Sequence, residues 1–339
     1  MVEIQAIARF LADLKEAAVL ATLVDVAGSS YRRPGARLLL TPDGHRIGSI
    51  SGGCLEEDVV GRARQVAATG VPELVVYDTT SENDLIWGVG LGCHGVVRVL
   101  LEPILPTPEW GRVLAANITH QRPTDLEILW GNHDHREWGT RLRGNLPKIK
   151  SGALVFTERV IPPTRLCIFG AGNDVSPLVR LAKELGWHVS IADPRPDFAS
   201  RARFPLADSV KTGPSEKLVA LMEPPPEAVA VVMTHHYVHD VPILRDLLRK
   251  PLAYVGLLGP KKRGERILSD LRREGLAFAD GELERLHSPV GLDLGAETPE
   301  EVALSIIAEM RAALAGRDAR PLRHRNRPIH DATPVKSSS

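Results

Sequence analysis

The stretch "RLCIFGAGNDVSPLVRLAKELGWHVSIAD", residues 165–193, constrains the chain more than any other. An apolar run turns through glycines into a helical pattern, with apolar residues at 175, 178, 179, 182 and 185, and a second apolar run follows. Strand, glycine turn, amphipathic helix and strand make a βαβ unit, which joins parallel neighbours by a right-handed crossover. Two later apolar runs, "AVAVVMT" and "AYVGLLG", each lead into another helical pattern. The alternation predicts a parallel sheet wrapped on both faces. Its last helix is expected from Pro299 to about Ala315, with Thr298 as cap and Glu300 and Glu301 in the first turn.

The first half reads differently. "VEIQAIARFLADLKEAA" has a helical period, and "AAVLATLVDVAG", "RLLLTPDG", "HRIGSISGG", "ELVVYDT" and "GVVRVLLEPI" read as strands. From Leu55 the apolar residues at 55, 59, 63, 66 and 67 predict a helix. Between 106 and 160, breakers such as "PTPEWG" and "QRPTD" predict irregular and strand structure. The fold class is therefore α/β: a compact α/β domain over residues 1–160, then a Rossmann-like doubly wound domain over 161–318. Pro162–Pro163 is the expected linker. The tail, 319–339, lacks an apolar period and is expected to be disordered.

Length and charge narrow the function. A chain of 339 residues fits two domains. Lys plus Arg and Asp plus Glu each number 42, for a formal net charge of zero. That argues against a general nucleic-acid binder, whose affinity leans on unpaired basic residues. No apolar run reaches membrane-spanning length, and the amphipathic N-terminus does not resemble a signal peptide, so a cytoplasmic location is expected.

Several residues could carry chemistry. Gly170 and Gly172 begin a G-x-G-x-x pattern, and Val175 stands where the third glycine would be. Asp193 ends the second strand, where an acid would meet a ribose hydroxyl, and Arg195 follows. Asp174 puts negative charge where a pyrophosphate would need room. The turn therefore admits a dinucleotide, another nucleotide or pterin phosphate, or a purely architectural role. His235, His236, His239 and Asp240 follow a strand, either facing a ligand or forming a capped polar loop, and no metal is assigned to them. Gly259 and Lys261, with Lys262 and Arg263, give a basic helix start that hints at a phosphate.

The three cysteines are too few and too scattered for a disulfide framework. Cys54 follows Gly52 and Gly53 just ahead of a helix, where an amide nest and the helix terminus would favour a thiolate. Glu56, Glu57 and Asp58 oppose that charge, and burial against the turn is the alternative. Cys93, with His94 beside it, lies in the glycine-rich "GVGLGCHGVV". Cys167 falls inside an apolar strand and is expected in the core.

Seven blocks occur in a telling order: "GSSYRRPGARLLL", "GSISGGCLEEDVV", "GLGCHG", "IFGAGNDVSPLVRLAKELGWHVSIADPRPDFA", the "VVMTHH" and "HD" pair, "YVGLLGPKKRGERI" and "SPVGLDLGAETPEEVALSIIAEM". Together they resemble the XdhC/CoxI family, accessory proteins of xanthine dehydrogenase and related molybdenum hydroxylases. His94 departs from the glycine usual there, and "GAGND" departs from "GAGH". The resemblance implies binding of molybdenum cofactor, a molybdopterin, during sulfuration by a cysteine desulfurase. Insertion into the apo-hydroxylase follows, and the family resemblance also suggests a homodimer. On that reading Cys54 and Cys93 contact molybdenum or relay sulfur. The competing expectations are an NAD(P)-linked oxidoreductase using the second domain and a metal-dependent hydrolase using the histidine loop.

Overall fold

A computed structural model describes residues 2–78, 95–131, 133–148 and 152–326. It divides into two compact units at Pro162 and Pro163.

The first unit is built on an antiparallel sheet ordered β3-β2-β1-β5-β4. The strands are β1 (Ala18–Gly28), β2 (Arg37–Leu40), β3 (Arg46–Gly48), β4 (Glu73–Asp78) and β5 (Gly95–Ile104). Period-two alternation divides β1 between two cores. Val19, Ala21 and Leu23 join the core under α2 (Glu56–Thr69), while Leu20 and Val24 face the core of α1 (Val2–Ala12) and α3 (Glu109–Thr119). A register shift between Leu23 and Asp25 resets that alternation. A smaller antiparallel sheet, β7-β6-β8, comprises β6 (Thr124–Gly131), β7 (Gly139–Leu142) and β8 (Leu154–Val160), and adds Leu126, Ile128 and Val160 to the second core.

Two expectations fail here. Residues 109–119 form a helix, because Pro108 sits just outside it in extended backbone. Gly111 then lets this helix approach α1, since a Cβ there would lie 2.9 Å from that of Leu11. "HRIGSISGG" is a strand only as far as Gly48. At that residue φ is +89°, and a Cβ would lie 2.3 Å from the Arg37 carbonyl oxygen.

The second unit has a parallel sheet ordered β11-β10-β9-β12-β13-β14. Its strands are β9 (Arg165–Phe169), β10 (His188–Asp193), β11 (Ser209–Thr212), β12 (Val229–Val232), β13 (Tyr254–Leu257) and β14 (Leu286–His287). Counted within this unit the order is 3-2-1-4-5-6, the doubly wound arrangement with its switch point between β9 and β12. Leu166 and Ile168 pack toward α4 (Val175–Glu184) and α9 (Pro299–Leu314). Cys167 and Phe169 pack toward α5 (Leu218–Met222), α6 (Tyr237–Leu248) and α7 (Lys261–Arg273). A short α8 (Asp280–Leu283) precedes β14. Thr298 and Glu301 form a reciprocal capping box at the start of α9. Leu185 ends α4 and is partly exposed instead of completing its buried face. In the expected tail, residues 322–324 form a 3-10 turn, and 327–339 lie outside the described residues.

Candidate functional site

Sheet geometry gathers two loops at one end of the first unit. β1 ends at Gly28, which pairs with Gly95 at the start of β5, and Gly48 pairs with Leu38 at the start of β2. The loops 29–36 and 49–55 therefore emerge together beside the entry to β5. The start of loop 29–36 packs closely on the entry to β5: a Cβ on Gly95 would lie 2.3 Å from the Ser29 carbonyl oxygen. Loop 29–36 is pinned by Arg37, which donates to the Gly35 carbonyl at 2.9 Å and to Glu158 at 2.7 Å. Arg32 pairs with Glu3, and Tyr31 stays 70% exposed with its ring 3.7 Å from a Cβ built on Gly52.

Cys54 sits on the second of these loops, half-buried, two residues before α2. Gly53 has φ of +111°, and nothing lies within 4 Å of the Cβ position it lacks. The amides here are divided between internal and open use. Glu56 turns back over the loop and accepts from Ser51 N–H at 2.9 Å and Ile50 N–H at 3.3 Å, and from the Ser51 hydroxyl. That hydroxyl oxygen accepts from Gly53 N–H at 3.1 Å and Leu55 N–H at 3.2 Å. Among the described residues, no acceptor meets the amides of Gly52 and Cys54. The nest expected from Gly52 and Gly53 is therefore narrower, because Ser51 has taken the Gly53 amide.

The three acids after Cys54 each have a partner. Burial works to raise the Glu56 carboxyl, but its bonds from Ser51 and Ile50 outweigh that and hold it below the ordinary range. Glu57 pairs with Arg46 at 2.6 Å. Asp58 pairs with Arg62 at 2.8 Å and accepts from the Tyr77 hydroxyl at 2.7 Å. Sequence spacing shows none of these partners, so the three acids read there as unpaired charge. Cys93 and His94 lie outside the described residues.

In the second unit, Gly170, Gly172, Asp193, Arg195, His235, His236, Gly259 and Lys261 all stand at the carboxyl ends of the parallel strands, or in the loops leaving them. Several of their side chains are engaged within the fold: Asp193 pairs with Arg195, and His235 with Asp174. Asp193 is fully buried. Its Oδ2 accepts from Ala171 N–H at 2.7 Å and Arg195 Nη2 at 2.8 Å, and its Oδ1 from Arg195 N–H at 2.8 Å and Nε at 2.9 Å. Burial tends to raise this carboxyl, and the Arg195 and Ala171 bonds more than offset it, leaving its pKa lowered. Both oxygens of the acid expected to meet a ribose hydroxyl are thus engaged within the fold. Arg195 is likewise committed to Asp193, and its guanidinium stacks 3.9 Å from the Phe198 ring centroid.

Gly170 has φ of +126°, and a Cβ there would lie 2.4 Å from the Met233 carbonyl oxygen, so this glycine serves the contact between the ends of β9 and β12. His235, at φ of +61°, places Nε2 2.8 Å from Asp174. The buried Asp240 accepts from Thr234 and from Arg263, which occupies one of the basic charges at the start of α7. Ser215 and His239 share a 2.7 Å hydrogen bond, and His236 and His239 meet edge to face. Lys261 and Lys262 remain exposed. Cys167 is buried as expected, and burial pushes its thiol up to about 11. Among the described residues no three His, Cys, Asp or Glu side chains converge as a metal site would require, and no helix is long and apolar enough to cross a membrane. A separate open hollow of about 600 Å³, floored by Phe10, Leu14, Pro42 and Ile47, holds none of the nominated residues.

Comparison with known proteins bears on both units. The family model for XdhC and CoxI matches residues 11–78, and the model for the XdhC Rossmann domain matches residues 166–310. The chain is 36% identical over 315 residues to a probable xanthine dehydrogenase subunit of Bacillus subtilis (strain 168), covering 87% of this chain and 93% of that protein. It is 23% identical over 300 residues to the molybdenum cofactor insertion chaperone PaoD of Escherichia coli (strain K12), covering 86% and 82% of the two. The crystal structure of a xanthine dehydrogenase from Bacillus halodurans is similar at a TM-score of 0.79 and 34% identity, over 95% of this chain and 99% of that one. A fold with two such units, matched in both and over nearly all of a relative's length, places this chain in the XdhC and CoxI family.

Proposed function

We propose that this protein is an accessory factor for a molybdenum hydroxylase such as xanthine dehydrogenase, and that molybdenum cofactor is its cargo. It holds the cofactor while a cysteine desulfurase supplies sulfur and then delivers it to the apo-enzyme. It works as a homodimer in the cytoplasm. The observation that carries this reading is the loop end of the first unit. Cys54 lies half-buried on a glycine loop with open space over Gly53, next to the exposed Tyr31 ring. A molybdopterin presents a soft metal–sulfur centre, a flat ring and a phosphate. A thiol suits the first, an aromatic face the second, and main-chain amides at the start of a helix the third. The amides of Gly52 and Cys54, which meet no acceptor among the described residues, would serve it. Cys93 is the second proposed sulfur.

Kinship with an insertion chaperone supports the same reading. An NAD(P)-linked oxidoreductase is less well supported, because Asp193 is used up inside the fold. The test is to purify the chain from a host that makes the cofactor and measure molybdenum and pterin. The loaded protein is then mixed with apo-xanthine dehydrogenase. Co-purifying cofactor and restored hydroxylase activity are expected. A cofactor-free protein that restores nothing, even after incubation with free cofactor, would contradict the reading.

A further inference from the structure

The parallel-sheet unit has the strand order and glycine turn of a dinucleotide-binding fold, so a nicotinamide dinucleotide is the cofactor its architecture implies. The residues present do not fit one. In such a site the first glycine makes the turn and the second opens a path for the pyrophosphate. The turn's amides point at phosphate, and the acid after the second strand holds the ribose. Here both glycines, the first amide of the turn and the acid have internal neighbours, while the amides of Gly172, Asn173 and Asp174 meet no acceptor among the described residues.

Gly170 is required by the Met233 carbonyl behind it, not by a ligand in front. Above Gly172, where the second path should be, lies a carboxylate: a Cβ on Gly172 would be 2.5 Å from Asp174 Oδ1. His235 holds that carboxylate in place through its Nε2 contact of 2.8 Å. The imidazole can reach it because His235 takes a left-handed backbone, steadied at its carbonyl by Arg263 Nη1 at 3.4 Å. The Ala171 amide is given to Asp193, and the Ala171 carbonyl and Asn173 Oδ1 each accept from Arg203 at 2.8 Å. Val175, in place of a third glycine, is fully buried in the core. A pyrophosphate entering this turn would meet the Asp174 carboxylate in its path. Like charges this close disfavour binding.

We propose that the glycine turn is closed by the chain's own side chains, so that this Rossmann-type unit does not take a nicotinamide dinucleotide, and that Asp174, held by His235, is the closing group. The inference concerns the second unit alone and stands whether or not the first carries molybdenum cofactor.

The test is calorimetric titration of the full chain with NADH, NADPH and ADP-ribose, alongside an Asp174→Ala variant. Wild type is expected to show no saturable binding up to roughly 1 mM. Asp174→Ala, melting within a few degrees of wild type, is expected to gain at least about tenfold in affinity for ADP-ribose as repulsion and steric block are relieved. Saturable binding of any of the three probes by wild type below that concentration would overturn the proposal. A folded Asp174→Ala protein with no gain would overturn the assignment to Asp174. A His235→Ala variant is a second probe of the same contact: freeing the carboxylate should give a smaller gain in the same direction, and its absence would remove His235 from the device.

Discussion

Two glycine turns, one in each unit, are followed by a helix, and they have opposite fates. The turn at Gly52–Gly53 keeps open space over Gly53 and presents a half-buried sulfur. The turn at Gly170–Gly172 is filled by Asp174 from above and tied to Asp193 from below. Both borrow a carboxylate from a neighbouring element, Glu56 in one and Asp193 in the other. The difference lies in what stands over each turn, because the amides of Gly172 and Asn173 also meet no acceptor among the described residues. Glu56 and Ser51 satisfy the flanks of their loop and leave the Gly52 and Cys54 amides without an acceptor among the described residues. Glycine spacing alone therefore says where a chain turns tightly, not whether the turn receives a guest.

The comparison breaks first at Asp193. Asp193→Ala would strand the half-buried Arg195 guanidinium and the Ala171 amide, at a cost of about 4 kcal/mol to the second unit. Denaturant unfolding monitored by fluorescence checks this, and a loss below about 1 kcal/mol would mean the Arg195 pair is not structural. Next comes Gly170→Ala, expected to cost about 3 kcal/mol because the new methyl meets backbone. Gly53→Ala meets only open space, so its left-handed φ should cost about 1 kcal/mol. Equal losses for the two alanine variants would erase the contrast between the turns.

Acid sharpens the comparison with a smaller effect. Glu56 and Asp193 both have carboxyls depressed in the folded chain, so each contributes stability that is full above its unfolded value. That contribution is lost as pH falls from the ordinary 4.5 for Glu56, or 3.8 for Asp193, down through the lower folded value. Glu56→Gln should therefore lower the neutral melt and converge on wild type as pH falls below 4.5, which flattens the acid limb of a thermal-melt series. An unchanged acid limb would remove Glu56 from the account.

Much of the fold was legible because it rests on periodicity. The βαβ run set the parallel sheet, and Thr298, Pro299 and Glu301 marked the start of α9. The helix at Glu109–Thr119 was hidden because Pro108 and Gly111 look like breakers, although one precedes the helix and the other packs it on Leu11. The glycine loops were legible as places and illegible as sites. Nothing in "ADPR" says that Arg195 will fold back onto Asp193, and nothing in "CLEED" says that Glu56 will reach over to Ser51. Such outcomes depend on side chains meeting across a turn, which spacing does not encode.

The most direct test of the central claim is molybdenum and pterin content, chain by chain, in wild type and Cys54→Ala purified side by side from a cofactor-producing host. The account predicts cofactor on wild type and its loss from Cys54→Ala, with melting temperatures that agree within a few degrees because the thiol is only half-buried. Full retention by Cys54→Ala, with hydroxylase activation intact, would contradict it.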